Sequence, residues 1–383
     1  MAVPAHPTRR AALYAGGFLG PFGGGMVTVL VPELRDAFGV STAAVSLALT
    51  AYLVPFAALQ LVSGTLGERL GRARATRAAF AVYTVASLVA AATGAFAVFL
   101  AARAVQGAAN AFTTPLVLAA LADDTPDAQL GQTVGTFAAV QTAGVVGAPL
   151  VGGLAGALDY RLAFVGAAAA ALVLVLVTVP EHRPAADARR EAPVRLGDAL
   201  TPRTRWTAFA AFLAYFAITG LGVVVALRAG DAFGLGPTAR GLLLAGFGLA
   251  GVVAGRPAGR AADRAGAVRV ALAGTLPCCA LLPLLGLAPG AVVLAAVWLA
   301  TGVCSALLWA GLNVLTVGAA PRNRGGAVSI IGAFKFAGNA LAPLAWLALY
   351  GGDTRLAFAL AGVASLGIAA TIVRAGAAPP VRA

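Results

Sequence analysis

The sequence predicts an all-α integral membrane protein whose twelve transmembrane helices form two pseudo-symmetric six-helix bundles. Three observations lead to this fold class. The chain is 60% hydrophobic and 11% charged, and its mean hydropathy is +0.90. It contains twelve apolar runs, each of roughly the 20 residues that cross a bilayer. A polar segment also recurs after about half of the 383 residues, which is typical of a membrane protein built from two repeats.

The composition argues against a soluble protein. A soluble domain carries about 25% charged residues, so a chain with 11% cannot cover itself with polar surface, and lipid is its expected solvent. The net charge of +13 is the feature that could indicate nucleic-acid binding. Most arginines, however, lie in alternate loops, which is the positive-inside pattern of membrane proteins. We therefore expect a lipid bilayer, and no nucleic acid, as a partner.

The apolar runs divide into two sets of six. The first set lies near residues 12–32, 43–63, 77–95, 97–121, 131–156 and 161–179. The second set lies near residues 206–228, 239–258, 268–288, 290–318, 326–350 and 356–373. We predict an N-terminal bundle over 1–179, a cytoplasmic linker over 180–205 and a C-terminal bundle over 206–383. The first run has no convincing cleavage site, so we expect a span and not a signal peptide.

The arginines predict the orientation of the spans. With both termini in the cytoplasm, the outer loops and their edges hold only Arg35, Arg161, Arg228, Arg240 and Arg355. The other loop arginines fall on the cytoplasmic side, as the positive-inside rule requires. We therefore expect a multi-pass protein of the cell membrane with both termini cytoplasmic.

Two loop segments form the repeat on which the two-bundle prediction depends. Residues 64–72 read Gly-Thr-Leu-Gly-Glu-Arg-Leu-Gly-Arg, and residues 259–266 read Gly-Arg-Ala-Ala-Asp-Arg-Ala-Gly. Glu68 and Asp263 are 263 − 68 = 195 residues apart. The glycines permit a tight turn, and a carboxylate is stabilised near a helix N-terminus. A solvated loop with topogenic arginines is the alternative, but it explains neither the glycine spacing nor the repeat.

Spans five and eleven carry a second repeat. Residues 131–141 and 325–335 run on to Ala-Pro pairs whose prolines are 343 − 149 = 194 residues apart, and Gln141 thereby matches Lys335. Small residues allow helices to pack closely, and a proline bends the helix. In span five these positions are Gly135, Gly144, Ala148, Pro149, Gly152 and Gly153. Generic packing of small residues is the alternative in such an Ala- and Gly-rich chain.

Two cationic side chains fall inside apolar runs. Arg103 lies in span four, where an arginine usually faces a cavity, although snorkelling to the outer interface is the alternative. Lys335 is the only lysine and lies roughly 13 Å inside span eleven at 1.5 Å per residue. It must face a polar cavity, pair with an anion or lose its proton. The alternative is that it fills a polar gap between helices.

Amide and aromatic side chains of the spans could line the same cavity, with simple packing as the alternative for each. The amides are Gln106, Asn110, Gln141, Asn313 and Asn339, and the aromatic residues are Tyr52, Phe56, Tyr215, Phe216 and Trp309.

These segments resemble motifs of the major facilitator superfamily, and in particular of its 12-span drug:proton antiporter type. Residues 64–72 resemble the signature between spans two and three, with Glu68 in place of the usual Asp. The resemblance implies the MFS fold and a gate at the cytoplasmic ends of the two halves. The gate residues would be Gly64, Glu68, Arg69, Gly71, Arg72, Asp263 and Arg264.

Two further motifs indicate the direction of transport and the coupling to protons. Span five resembles the antiporter motif that ends Gly-Pro-x-x-Gly-Gly, with Ala148 in place of Gly, which implies export. Residues 103–107 resemble an Arg-x-x-Gln-Gly pattern, which implies that Arg103 contributes to proton coupling. Many proton-coupled members carry a carboxylate in span one, whereas none of the fourteen acids here lies in the middle of a span. The proton carrier is therefore left open between Glu33, the loop acids and Lys335.

The predicted function is secondary active transport. We expect export of small, mostly apolar, drug-like compounds by alternating access, with protons as the coupling ion that the resemblance implies. The substrate and coupling contacts would be Tyr52, Arg103, Gln106, Asn110, Gln141, Trp309, Lys335 and Asn339. The alternative is an exchanger or facilitator of a defined metabolite such as an organic anion, without proton coupling. A receptor or scaffold that transports nothing also stays open.

Other function classes lack the residues they need. The two histidines lie in loops, and Cys278, Cys279 and Cys304 lie in apolar spans without metal-ligand spacing. An ATP-binding loop needs a Gly-Lys pair, and the sole lysine lies in Phe-Lys-Phe. We therefore expect no enzyme, no catalytic residue, no metal and no cofactor, and a monomer whose partner is a small-molecule substrate.

Overall fold

The computed structural model describes residues 7–123, 125, 127–177, 199–320 and 324–378, and the regular secondary structure of these residues is helical. The helices of the first half are α1 (Pro7–Gly25), α2 (Val31–Phe38), α3 (Thr42–Arg69), α4 (Arg72–Ala92), α5 (Phe96–Asp123), α6 (Asp127–Leu158) and α7 (Arg161–Leu176). The helices of the second half are α8 (Pro202–Ala214), α9 (Gly222–Asp231), α10 (Pro237–Ala265), α11 (Ala267–Thr275), α12 (Cys278–Leu287), α13 (Ala291–Val317), α14 (Arg324–Gly352) and α15 (Thr354–Ala377).

The twelve predicted spans are all present as helices among the described residues. Among the described residues, ten helical stretches are long and apolar enough to cross a membrane. Residues 10–28 and Val31–Phe38 meet at an angle of 64° and make an eleventh when the bent pair is counted as one span. The remaining span is the shorter apolar helix α7, which has 16 residues. In hydrocarbon the backbone has no water to bond, so each span must satisfy its own N–H and C=O groups as a helix.

The first and seventh spans are interrupted for different reasons. Pro32 is the second residue of α2, and because proline lacks an N–H and clashes with the preceding turn, α1 cannot continue straight into α2. The seventh span contains a π-helical turn at Tyr215–Thr219 between α8 and α9. Its start lies inside the predicted linker, because the side chain of Thr201 caps the helix. A hydropathy pattern does not register such a capping signal.

The contacts divide the described residues into two compact units. Unit 1 contains residues 7–177 and 236–245, and unit 2 contains residues 199–235 and 246–378. In unit 1, α5 packs against α1, α3 and α4, and α6 packs against α1. In unit 2, α8 packs against α14 and α15, and α11 packs against α13. Residues 178–198 lie outside the described residues, so the predicted bundle boundaries stay a prediction.

The backbone confirms the internal repeat. Among the described residues, four glycines have a positive φ, and they form two pairs that are 195 residues apart: Gly39 (62°) with Gly234 (66°), and Gly71 (85°) with Gly266 (91°). This region of φ favours glycine because a Cβ would clash with the backbone. Residues 36–39 and 231–234 also share the tetrapeptide Asp-Ala-Phe-Gly. The repeat predicted from the loop segments did not include Gly39 and Gly234, although the identical tetrapeptide indicates this pair.

Large apolar side chains face outward along the spans. Val85, Val253 and Val292 are 62%, 71% and 83% exposed. A water-soluble protein does not expose apolar surface on this scale, so these helix faces agree with lipid as the solvent.

Candidate functional site

Unit 1 contains a fully buried arginine on α5. The side chain of Arg103 has no exposed surface. Its Nη1 donates to Oε1 of Gln106 at 2.7 Å and to the carbonyl of Gly23 at 3.2 Å, and its Nε donates to the carbonyl of Ala48 at 3.4 Å. The guanidinium carbon also lies 4.4 Å from the centre of the Tyr52 ring. Arg103 therefore does not snorkel to the surface of this unit.

Carbonyl dipoles and aromatic faces compensate the Arg103 charge. Within the described residues no Asp or Glu lies at ion-pair distance from it. A second ring, that of Phe164, lies 5.9 Å from the guanidinium carbon. The Nη2 atom is buried and has no hydrogen-bond partner in the part of the chain that the structure describes. Removing one partner of a buried charge is strongly destabilising, so the surroundings of Arg103 are expected to tolerate little change.

Arg103 belongs to a buried hydrogen-bond network that we call the Arg103 network. Its members are Tyr52, Ser87, Arg103, Gln106, Asn110 and Thr113, all of them buried. Gln106 donates to Oγ of Ser87 at 2.7 Å, Asn110 donates to the hydroxyl of Tyr52 at 2.7 Å, and Thr113 donates to Oδ1 of Asn110 at 2.7 Å. Because Tyr52 and Asn110 also donate to the carbonyl of Gly20 at 3.2 and 3.0 Å, the network joins α1, α3, α4 and α5.

Four predicted contact residues thus lie together in unit 1. The sequence named Tyr52, Arg103, Gln106 and Asn110 but missed Ser87 and Thr113. Thr113 lies three residues after Asn110, so it shares a helix face with it, and this spacing could have identified it. Ser87 carries no such signal, because it comes from a different helix and stands in an apolar run.

Unit 2 contains an aromatic cage around the only lysine, which we call the Lys335 cage. The Nζ atom of Lys335 on α14 lies 4.6, 5.1 and 5.9 Å from the ring centres of Phe336, Tyr215 and Trp309. The Tyr215 and Trp309 rings meet edge to face at 5.2 Å. Lys335 is half-buried. Among the described residues no carboxylate lies within ion-pair distance of its ammonium group.

The π-helical turn at Tyr215–Thr219 places Tyr215 in this cage. The N–H of Gly220 donates to the carbonyl of Tyr215 at 2.7 Å, and the indole of Trp346 donates to the carbonyl of Phe216 at 2.6 Å. Trp346 therefore satisfies a carbonyl that the wider turn frees. Single π-helical turns are frequent at functional sites. The sequence named Tyr215 and Trp309 as possible walls but did not name Phe336, although it stands next to Lys335.

The remaining predicted contacts are more scattered. Asn339 follows Lys335 by one helical turn and is partly buried in unit 2, whereas Asn313 on α13 is exposed. Gln141 is partly buried on α6 of unit 1. Phe56 stacks on Tyr52 with the ring centres 6.2 Å apart. Of the predicted residues in unit 2, the structure therefore brings Tyr215 and Trp309 to Lys335.

The antiporter-type motif makes the close contacts of α6. A Cβ on Gly144 would lie 2.5 Å from the carbonyl oxygen of Phe18, and one on Gly152 would lie 2.7 Å from that of Met26. A Cβ on Gly25 would lie 2.9 Å from the Cβ of Ala148. The motif therefore allows backbone-to-backbone packing between α6 and the first span.

The end of the motif contacts the first turns of α10, which belong to unit 1. A Cβ on Gly153 would lie 3.0 Å from the Cα of Gly241, and one on Gly241 would lie 2.5 Å from the carbonyl oxygen of Pro149. The surroundings of Gly135 lie outside the described part of α6.

A pair of neighbouring glycines in α6 tests this packing role. We expect Gly144→Ala to lower the stability of the purified protein by about 1–3 kcal/mol, because the new methyl group must displace the backbone of Phe18. Gly147→Ala is the matched control, since the nearest described atom outside its own helix would be in the Phe18 ring, 3.6 Å from the new Cβ, and an alanine favours the helix. Thermal unfolding in detergent measures both. Equal melting temperatures for the two variants would contradict this role.

The predicted gate residues occupy corresponding turns, but their mutual contacts are not described. Arg69 is exposed at the end of α3, Arg72 begins α4, and Asp263 and Arg264 are exposed near the end of α10. The Glu68 side chain and the surroundings of Gly64 lie outside the described part of the chain. The gate therefore stays a prediction.

An ion pair joins α2 to the first turns of α10 within unit 1. The Glu33 carboxylate accepts a hydrogen bond from the Arg240 guanidinium. The two side chains are 18% and 4% exposed. Glu33, one of the candidate proton carriers, is therefore a paired carboxylate.

The described residues contain no group of three or more side chains that could hold a metal ion. Cys278, Cys279 and Cys304 are free thiols.

The sequence profile of the Major Facilitator Superfamily matches residues 13–209 and 207–382. The chain belongs to the Major Facilitator Superfamily. The two matched stretches meet near the start of the second half, so each half of this superfamily member matches the profile separately. The prediction of family and fold is therefore confirmed.

Similar curated proteins come from Mycobacterium tuberculosis. The "Uncharacterized MFS-type transporter EfpA" is 26% identical over 148 residues, which is 38% of this chain and 28% of EfpA. The "Multidrug resistance protein B homolog" is 28% identical over 153 residues, which is 39% of this chain and 28% of that protein. The match thus spans less than a third of the length of either relative.

Solved structures share the fold over almost the whole chain. A bacterial homologue of the human lysosomal transporter Spinster has a TM-score of 0.76 at 17% identity, with 98% of this chain and 96% of the other covered. The human organic anion transporter MFSD10 (TETRAN) has a TM-score of 0.70 at 18% identity, with 96% and 100% covered. At these identities the likeness shows the fold alone.

Proposed function

We propose that this superfamily member is a secondary active transporter that exports small, mostly apolar, drug-like compounds by alternating access. The observation that carries the proposal is the Lys335 cage. A half-buried ammonium group beside three aromatic rings offers both apolar contact and a polar anchor, which is the composition of a site for small amphipathic molecules. Asn339, one turn away on α14, would add an amide to the same face.

Two observations support export. The glycines and proline of α6 match the antiporter-type motif and make the close contacts that such a motif implies. The names of the curated relatives also refer to multidrug resistance and MFS-type transport.

The arginine distribution supports insertion in the cell membrane with both termini cytoplasmic. The two repeated segments that contain Glu68 and Asp263 are the proposed cytoplasmic gate.

Proton coupling is part of the proposal, and Lys335 is its proposed carrier. Glu33 is already bound to Arg240, and Arg103 is enclosed in its network. Lys335 is an ionisable group inside a span, is partly accessible and lies in the proposed substrate site. Arg103, Gln106, Asn110 and Tyr52 would then act by holding unit 1 in shape.

Exchange or facilitated diffusion of an organic anion is the second candidate. The positive Lys335 without a carboxylate among the described residues favours it. The fold is also shared with a human protein whose structure is named as an organic anion transporter. The two candidates differ in whether protons move with the substrate.

Reconstituted vesicles with an imposed pH gradient separate the candidates. We expect drug-like compounds to dissipate the gradient through the wild-type protein, and Lys335→Ala to slow this dissipation about tenfold or more, because the proposed carrier is lost. Glu33→Gln serves as the comparison for a carboxylate carrier. If anions exchange with no change in the gradient, proton-coupled export is wrong. If no compound moves under any condition, the transport proposal itself fails.

A further inference from the structure

The Lys335 cage has the composition of a cation-binding site, but its cation belongs to the protein. Aromatic cages bind ammonium groups because the ring faces carry negative charge, and the attraction is effective within about 6 Å of a ring centre. All three distances from Nζ of Lys335, 4.6, 5.1 and 5.9 Å, lie within this limit. The lysine side chain therefore occupies the place that the ammonium group of a substrate would take.

We propose that Lys335 sets the charge selectivity of the substrate site, so that among aromatic drug-like compounds the site prefers anions such as aryl carboxylates to cations of similar shape. This inference rests on the proposed function, because it takes the Lys335 cage as the substrate site. It names the substrate class of that site and the residue that selects it.

Two physical effects favour anionic over cationic substrates. The tethered ammonium group fills the cage, so a cationic substrate meets an occupied site and a like charge. A carboxylate, in contrast, gains an ion pair with an ammonium group that has no carboxylate partner among the described residues. The aromatic part of the same compound can stack on Trp309 or Tyr215.

The local packing keeps Lys335 in this position. Tyr215 is fixed by the π-helical turn, which Trp346 stabilises through the carbonyl of Phe216. Trp309 packs against a core cluster that contains Ile330 and Ile331, one turn before Lys335 on the same helix. The cage walls are therefore held by the fold and do not depend on the lysine itself. An uncharged residue at position 335 should leave an empty cage that can accept a cation.

The test compares the binding of two aromatic compounds of similar shape and opposite charge. 2-Naphthoate and a naphthylmethyl-trimethylammonium ion are titrated into the purified full-length protein in lipid nanodiscs. We expect the wild type to prefer the anion. Lys335→Gln should weaken naphthoate binding about tenfold and strengthen binding of the ammonium ion by about the same factor, which is an inverted preference.

Three further variants separate the cage from a general effect of charge. Adding Phe336→Leu to Lys335→Gln should abolish the gain in ammonium binding, because one wall is lost. Adding Phe334→Leu instead should keep that gain, since Phe334 is 44% exposed and is not among the rings around Lys335. Arg374→Gln removes a cation that stacks 4.7 Å from the Trp206 ring elsewhere in unit 2, and it should leave the preference unchanged.

The outcomes distinguish this inference from the proposed function. If both compounds bind and Lys335→Gln leaves their ratio unchanged, the selectivity role is wrong while the transport proposal stands. If Arg374→Gln inverts the preference as well, the effect is one of net charge and the inference fails. If neither compound binds to any variant, the inference fails, while the transport proposal is decided separately by the vesicle assay.

Discussion

Replacing Arg103 with alanine is expected to destabilise the protein by about 3–5 kcal/mol. The substitution leaves a cavity at a fully buried position. It also removes the donor from Oε1 of Gln106 and from the carbonyls of Gly23 and Ala48, and unsatisfied buried groups are costly. The measurement is thermal unfolding of the purified protein in detergent. A melting temperature equal to that of the wild type would contradict the central position of Arg103 in its network.

Arg103→Met is the matched variant that separates structure from coupling. Methionine fills much of the volume without a charge, and replacing a buried charge with an apolar residue of similar size is often tolerated. We therefore expect this variant to recover most of the stability that Arg103→Ala loses. If Arg103→Met folds but its rate of pH-driven exchange falls about tenfold or more, Arg103 takes part in proton coupling as well. If it transports normally, the role of Arg103 is to hold unit 1 in shape.

Gly107→Ala is expected to have the second large effect, a loss of about 2–4 kcal/mol of stability. Gly107 on α5 faces the backbone of α3, and a Cβ there would lie 2.7 Å from the carbonyl carbon and 3.0 Å from the Cα of Tyr52. Because a backbone cannot rotate away, the two helices must separate. Tyr52 would then move away from Asn110, to which its hydroxyl is bonded.

Gly166→Ala is the control for this prediction. Gly166 lies on α7 of the same unit, and beyond its own stretch of helix no heavy atom of the described residues lies within 4 Å of its ideal Cβ position. We expect it to be neutral or to stabilise the protein by about 0.5 kcal/mol, because alanine favours a helix over glycine. Similar losses of stability in Gly107→Ala and Gly166→Ala would show that the close contact between α3 and α5 is not the cause of the destabilisation.

The extent of the spans illustrates what hydropathy can and cannot predict. The predicted run at residues 43–63 became α3, which begins at Thr42 but continues to Arg69. The polar end of this helix does not contribute to a hydropathy signal, yet the helix continues because its backbone hydrogen bonds do not depend on side-chain polarity. The turn that ends it requires a positive φ at Gly71, and the glycine spacing of the repeated segment did predict a turn there.

The polar residues of the Arg103 network show more clearly what the sequence could not predict. The sequence placed Tyr52, Arg103 and Asn110 inside spans but could not place them together. Their network depends on the rotation of three helices about their axes and on carbonyls of the first span. Ala, Gly and Val fill most faces of these helices, so the pattern gives only a weak indication of which side faces the interior.

The twelve spans and the internal two-fold repeat of this protein could be predicted from the amino-acid sequence alone. Both follow from the linear pattern, because lipid forces each long apolar run into a helix and a repeated turn needs the same glycine at the same spacing. Two features depend on tertiary packing. Arg103 is enclosed in unit 1 without a carboxylate among the described residues, and Lys335 lies among Tyr215, Trp309 and Phe336. Tyr215 and Lys335 are 120 residues apart, and they meet because of helix packing and one π-helical turn. Neither feature has a local signature in the sequence.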